Sequence, residues 1–255
     1  MRLYLSSVLE SEIPFEEKIK FCENLFVLFS FAYKKNYTER LIPYCKDLLL
    51  DSGAFTIMMK KNVKNTFNPI DYCRKYAEFI KNNKIDKFME LDIESVFGFE
   101  VYKDCLHCLQ DITGKDPIYV FHKWRGLNYF KELVKQKNYI ALGDVSVGSG
   151  SREIYKFFPW FINEAHKNNC KVHGLAFTAL NDLNYMNFDS IDSSSWTAGA
   201  RFARISRFDG HSIQCYNCRR TEFKTLPSSI DCKRHDLPEW KKLSQYFDTE
   251  MEPVW

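Results

Sequence analysis

The sequence predicts an α/β fold, a (β/α)8 TIM-type barrel with a small C-terminal zinc-binding module, on three observations. Eight short β-rich runs recur along the chain with helical patterns between them. The length of 255 residues suits one such barrel, and a 45% hydrophobic content with 22 Phe and 14 Tyr can bury a large core. After Trp196 the alternation stops, and Cys and His recur at metal-ligand spacing. The expected division is residues 1–200 for the barrel and 201–255 for the module.

Taken in order, the strand candidates are "RLYLSS" near Arg2, "LFVLFSF" near Leu25, "LLLDSG" near Leu48 and "KFMELDI" near Lys87. "PIYVFH" near Pro117, "YIALGD" near Tyr139, "KVHGLAF" near Lys171 and "FDSIDSSSW" near Phe188 complete the set. Between them, "PIDYCRKYAEFIKNN" sets Ile70, Cys73, Tyr76, Ala77 and Ile80 on one helical stripe, with Pro69 suited to a first turn. "GLNYFKELVKQKN" repeats the pattern with Leu127, Phe130, Leu133 and Val134. Pro159 is expected to split or restart a helix, since it has no N–H to donate. Cys105 and Cys108 sit in a helical pattern beside Leu106 and Leu109, which reads as core packing. Beyond Trp196 no long period is visible.

Charge is nearly balanced, 36 Lys plus Arg against 33 Asp plus Glu, so any basic surface is local. The richest stretch holds Arg201, Arg204, Arg207, Arg219, Arg220 and Lys224 against Asp209 and Glu222. It is either a phosphate-binding surface or a solvated charged face. The amino terminus lacks a signal-peptide pattern, and no run approaches the roughly 20 apolar residues of a membrane span. The nine cysteines then read as thiols or metal ligands in the cytoplasm.

In such a barrel the reactive end lies at the carboxyl ends of the strands. Asp51, Asp92, His122, Asp144, His173 and Asp192 each fall at or just past an apolar strand run. Any one of the acids could cap the next helix. Several together suit a divalent metal or paired-carboxylate chemistry, in which one group attacks an anomeric carbon and another moves a proton. Farther on, Cys215-x2-Cys218 and Cys232-x2-His235 form a four-ligand set suited to structural Zn2+. Such a metal would hold a loop-rich segment and present Arg219, Arg220, Lys233 and Arg234 toward phosphate.

Five motifs, "LLLDSGAFTIM", "ELDIESVFG", "YIALGDVSVGSG", "VHGLAFTALNDL" and "SIDSSSWTAGAR", stand in the order of those of the tRNA-guanine transglycosylase superfamily. The chain most resembles its phage and bacterial 7-deazaguanine DNA transglycosylases, from about Leu48 to His235, and the cytoplasm expected is the host's if the chain is phage-encoded. That resemblance implies replacement of guanine in DNA by a 7-deazaguanine, such as the 7-cyano form, through a covalent aspartyl-glycosyl intermediate. It makes Asp192 the nucleophile and Asp51 the general acid/base. It makes Asp92 the base-reading carboxylate, and Gly143, Asp144, Ser146, His173 and Gly174 further base contacts. Arg201, Arg204, Arg219 and Arg220 are the expected phosphate contacts.

The tRNA enzymes typically carry a second glycine where Asp144 stands, and Pro-Thr-Arg where Ser194, Ser195 and Trp196 stand. Trp196 is then either a base-stacking residue or a core residue. An ionised Asp192 needs donors, for which Ser193 to Ser195 are the nearest, whereas apolar neighbours of Asp51, the three leucines and Phe55, would raise its pKa. The alternatives are transglycosylation of tRNA, a metal-dependent barrel hydrolase, and a non-catalytic barrel that only binds nucleic acid.

Overall fold

The protein is described from a computed structural model, over residues 1–143, 155–177, 186–202, 204–217 and 228–250, the side chains of 200, 201 and 250 excepted. All eight expected strands form: β1 (Arg2–Ser6), β2 (Phe26–Ser30), β3 (Asp47–Asp51), β4 (Lys87–Phe88), β5 (Tyr119–Phe121), β6 (Tyr139–Leu142), β7 (Lys171–Gly174) and β8 (Ser190–Ser193). They make one parallel sheet in the order β4-β3-β2-β1-β8-β7-β6-β5, curled in the manner of a TIM-type barrel. At its two edges Ile118 N donates to Phe88 O (2.8 Å) and Glu90 N to Ile118 O (3.0 Å).

Strand alternation sorts side chains between two cores. Tyr4, Phe26, Leu28, Leu49, Met89, Ile118, Val120 and Ala141 pack together inside the curl. Leu48 and Leu50 belong instead to the larger core against the helices. The leucine run is thus buried on both faces, and the period of two sets Asp47, Leu49 and Asp51 on the inner one. Asp47 closes the amino end, accepting from Tyr4 Oη (2.7 Å) and from Lys87 Nζ. Asp51 is left at the carboxyl end.

The helices follow their stripes. Helices α1 (Phe15–Cys22), α2 (Ala54–Met58) and α3 (Val63–Thr66) precede α4 (Pro69–Asn82), which starts at Pro69 and is capped by the Asn68 side chain accepting from Asp71 N. Its Cys73, Tyr76, Ala77, Phe79 and Ile80 are buried. After α5 (Glu94–Phe97), α6 (Phe99–Thr113) packs on α4, with Cys73 Sγ on Cys105 O (3.0 Å), so Cys105 is a core residue. Helix α7 (Leu127–Gln136) buries Phe130, Leu133 and Val134, while Leu127 stays exposed. A 3-10 turn at Tyr155–Phe157 leads into α8 (Phe158–Lys167), with Pro159 in its first turn, the restart expected there.

Two stretches differ from the sequence reading. Between β2 and β3 only 3-10 turns form, at Phe31–Tyr33, Thr38–Arg40 and Ile42–Tyr44, because no apolar stripe exists there to bury a helix. In the region expected to lack a period, β9 (Arg204–Phe208) and β10 (Ile213–Asn217) form an antiparallel hairpin, and Ser229–Glu250 is one long helix, α9. Its buried stripe of Cys232, Leu237, Trp240, Leu243 and Phe247 is interrupted by buried Asp236 and Ser244, which disguises it. Each polar residue has a partner: Ser206 N and Oγ donate to Asp236, and Ser244 Oγ donates to Leu3 O. Helix α9 therefore lies directly on β1. Among the described residues no helix is long and apolar enough to cross a membrane.

Candidate active site

Asp51 ends β3 facing inward, paired in register with Ser30 of β2. Its Oδ2 accepts the Gly53 N–H (3.0 Å), which fixes the carboxylate against the turn that follows. Gly53 has φ +81°, and a Cβ there would lie 2.4 Å from Ala32 Cβ, so only glycine fits both the backbone and the space. Tyr72 Oη on Ser52 O (2.6 Å) and Tyr76 Oη on Leu50 O (3.2 Å) pin the same turn from α4. Gly53→Ala is expected to cost at least about 2 kcal/mol, read as a lowered urea midpoint, from the left-handed backbone and the overlap together.

Burial is the main reason the Asp51 carboxyl is pushed up to about 6, and the Ser30 hydroxyl and Gly53 N–H oppose it. The charges of Asp92 and Asp192 raise it further, so three of the expected acids share one mouth. Phe55, expected to share in that burial, is 50% exposed.

Asp192 on β8 points inward opposite Tyr4 and is only 5% exposed. Its donors are not Ser193 to Ser195. Ala176 N donates to Oδ1 (2.5 Å), and His173 Nε2 lies 3.3 Å from the same atom. Ala176 holds φ +53°, a strained value for alanine that directs its N–H at the carboxylate. Ser193 Oγ instead accepts from Ser195 N. His173, expected among the base contacts, is fully buried beneath Asp192 with Nδ1 on Ser190 Oγ (2.6 Å), whose hydroxyl also meets Tyr139 Oη. The imidazole thus orients Asp192 and has no edge open to a base. Asp189, three positions earlier, bonds Val172 N and His166 at the amino end of the strands, so it is no alternative nucleophile.

Asp92 follows β4 and is bonded through Oδ2 to His122 Nε2 (2.8 Å). His122 stands against Gly143, where a Cβ would come within 2.7 Å of its ring. Gly143 is thereby needed to admit the imidazole beside Asp92. At Gly174 a Cβ would press on Phe188 and Ile191, a packing constraint. Trp196 is fully buried with Nε1 donating to Ser6 O (2.7 Å), which makes it a core residue and unavailable for stacking.

The sequence reading passed over two neighbouring acids: Glu10 lies four residues past β1, and Glu90, although it follows Phe88 and Met89 of the β4 run, stands two residues before the more prominent Asp92. Glu10 reaches Ser30 N through Oε1 (3.3 Å), beside Asp51, and burial pushes its carboxyl up to about 7. Glu90 is fully buried on the outer side, accepting from Tyr102 Oη (2.6 Å), Val120 N (2.9 Å) and Arg125 Nη1 (3.2 Å). It ties the end of β4 to the end of β5, on either side of the Asp92–His122 pair. Glu90→Ala should cost about 3 kcal/mol, the low end for breaking a buried pair because Glu94 still faces Arg125, and thermal unfolding measures it.

Among the remaining expected residues, Asp144, Ser146, Cys218, Arg219 and Arg220 lie outside the described residues. Arg201 is described in its backbone alone, within the 3-10 turn Gly199–Phe202, and Arg204 is exposed at the start of β9. Cys232 and His235 sit one turn apart on α9. Cys215 on β10 is opposite Ser206, the residue that bonds Asp236, so the hairpin and the first turns of α9 face each other. Among the described residues no three His, Cys, Asp or Glu side chains form a group that could hold a metal ion.

No family model matches the chain, and no curated protein matches it.

Proposed function

We propose that the protein is a base-exchange glycosyltransferase of the (β/α)8 barrel type that replaces guanine in DNA with a 7-deazaguanine. The observation that carries this reading is the pair Asp192 and Asp51, inward-facing carboxyls at one mouth with opposed environments. Two donors hold Asp192 in place for attack, whereas Asp51 is pushed up toward neutrality and suits proton transfer. In the proposed reaction an Asp192 oxygen bonds carbon 1′ of the target nucleotide as the bond from carbon 1′ to the guanine nitrogen breaks. The bonding pair leaves with guanine, which takes a proton from Asp51. The incoming deazaguanine then returns a proton to Asp51, attacks carbon 1′ and releases Asp192. In a duplex the target must first leave the stack.

Asp92, oriented by His122, supplies an acceptor for the amine and ring N–H of a guanine-like base. Structural Zn2+ held by Cys215, Cys218, Cys232 and His235 belongs to the same reading, and it would fasten the β9–β10 hairpin to α9 without entering the chemistry. Incubation with labelled guanine, duplex DNA and tRNA in parallel tests the whole reading. Label is expected in DNA; label in tRNA alone transfers the chemistry to the other nucleic acid, and label in neither removes base exchange. Elemental analysis of the purified protein should find one zinc per chain, lost on Cys232→Ser.

A further inference from the structure

The connection from β3 to α4 begins at the candidate acid/base and is unlike the rest of the chain in charge. Between Asp51 and Asp71 it carries Lys60, Lys61 and Lys64 and no Asp or Glu, in a protein whose charges otherwise nearly cancel. All three lysines are exposed, and none has an ion pair among the described residues.

The excursion is anchored rather than loose. Ala54, Ile57 and Val63 are buried beneath it, and Phe67 packs on Tyr72 and Phe97 where the chain returns. Thr56 Oγ1 donates to Tyr33 Oη (3.3 Å), and Ser95 Oγ donates to Met58 Sδ (3.5 Å). Asn62 at φ +56° reverses the chain between α2 and α3. Held in this way, α2 and the residue that caps it turn outward two apolar side chains four residues apart: Phe55, 50% exposed, and Met59, 71% exposed. Phe55 and Met59 thus form an apolar step on the same excursion as the three lysines.

We infer that residues 54–67 grip duplex DNA, with Lys60, Lys61 and Lys64 along the phosphates and Phe55 and Met59 wedged between base pairs beside the nucleotide delivered to Asp51. The inference rests on the base-exchange reading and adds to it the device that opens the stack. Three unpaired cations without an acid match a polyanion, and Phe and Met are side chains able to enter a base step. Phe55 stands four residues and Met59 eight residues after Asp51, on the excursion that leaves the mouth, which puts the disturbed step beside the reacting nucleotide. An acidic protein surface would match the lysines as well, but it would give no rise in 2-aminopurine fluorescence on a DNA duplex.

The test measures binding of the full chain to a short duplex carrying 2-aminopurine next to guanine, across a salt series, with an RNA stem-loop in parallel. Combined Lys60→Ser, Lys61→Ser and Lys64→Ser should flatten the slope of log affinity against log salt by roughly 2 to 3, about 0.9 for each phosphate no longer neutralised. Combined Phe55→Ser and Met59→Ser should keep the slope and abolish the fluorescence rise that reports unstacking. All five positions are exposed, so unfolding midpoints should stay within about 1 °C of wild type. A triple lysine variant with the wild-type slope on DNA overturns the inference and leaves base exchange standing, as does an effect confined to the RNA stem-loop. A wild-type protein that binds no DNA removes both.

Discussion

Asp192→Ala is expected to abolish the covalent protein–nucleic acid adduct and to lower base exchange on the order of 10^4-fold or more, the scale on which a nucleophile's loss is felt. The expectation follows from how the side chain is held. Its Oδ1 takes the Ala176 N–H and faces His173 Nε2, so the carboxylate has fixed orientation in a nearly closed position beside Tyr4. The alanine leaves that N–H and the imidazole Nε2 unpaired and should lower stability by about 1–3 kcal/mol, so folding must be followed alongside. Asp192→Asn separates the two effects: its amide oxygen still accepts from Ala176 N, but the group is no nucleophile. Mass spectrometry of trapped reactions with both variants is the measurement. An adduct surviving in the asparagine protein would assign the covalent bond to another residue, and not to Asp189, which is held by Val172 N and His166 just before the amino end of β8. His173→Asn should retain a slower adduct, because it disturbs the orientation of Asp192 and spares its chemistry.

The strands were legible because each is an apolar run ending in a polar residue, and parallel strands covered on both faces produce that pattern. The inward direction of Asp51 also follows from sequence, by counting two from Leu49. What the sequence withheld is proximity between distant segments. Ser193 to Ser195 are nearest to Asp192 along the chain, yet the strand's alternation turns Ser193 away, and the donor is the backbone of Ala176, sixteen residues earlier. Backbone N–H groups have no signature in a side-chain pattern. Helix α9 was hidden for a related reason: Asp236 and Ser244 occupy core positions because Ser206 and Leu3 O await them, and a hydropathy reading counts both as surface. Glu10 and Glu90 are of the same kind, polar residues whose burial only the tertiary structure explains.

Asp51→Asn should stop turnover and make the protein more stable, and the opposition of these two signs is the mark of a residue kept for chemistry. In the fold the carboxyl is pushed from 3.8 to about 6, chiefly by burial and then by the charges of Asp92 and Asp192. The folded state therefore binds a proton that the unfolded chain has released between those values. The stability this proton confers is fully present below about pH 4 and is lost as pH rises through about 6. At pH 7 the wild type holds an ionised Asp51 in the mouth at a cost of at most about 3 kcal/mol, two pKa units at about 1.4 kcal/mol each. Asparagine carries no charge at any pH, and its side-chain oxygen can still accept from Gly53 N. The variant should thus unfold several degrees above the wild type at pH 7, with the difference shrinking to nothing near pH 4. Thermal unfolding of both proteins from pH 4 to pH 8 measures this. An unchanged midpoint at pH 7 would mean that Asp51 is ionised without penalty, and the proton it is proposed to deliver to the departing base would have to come from elsewhere.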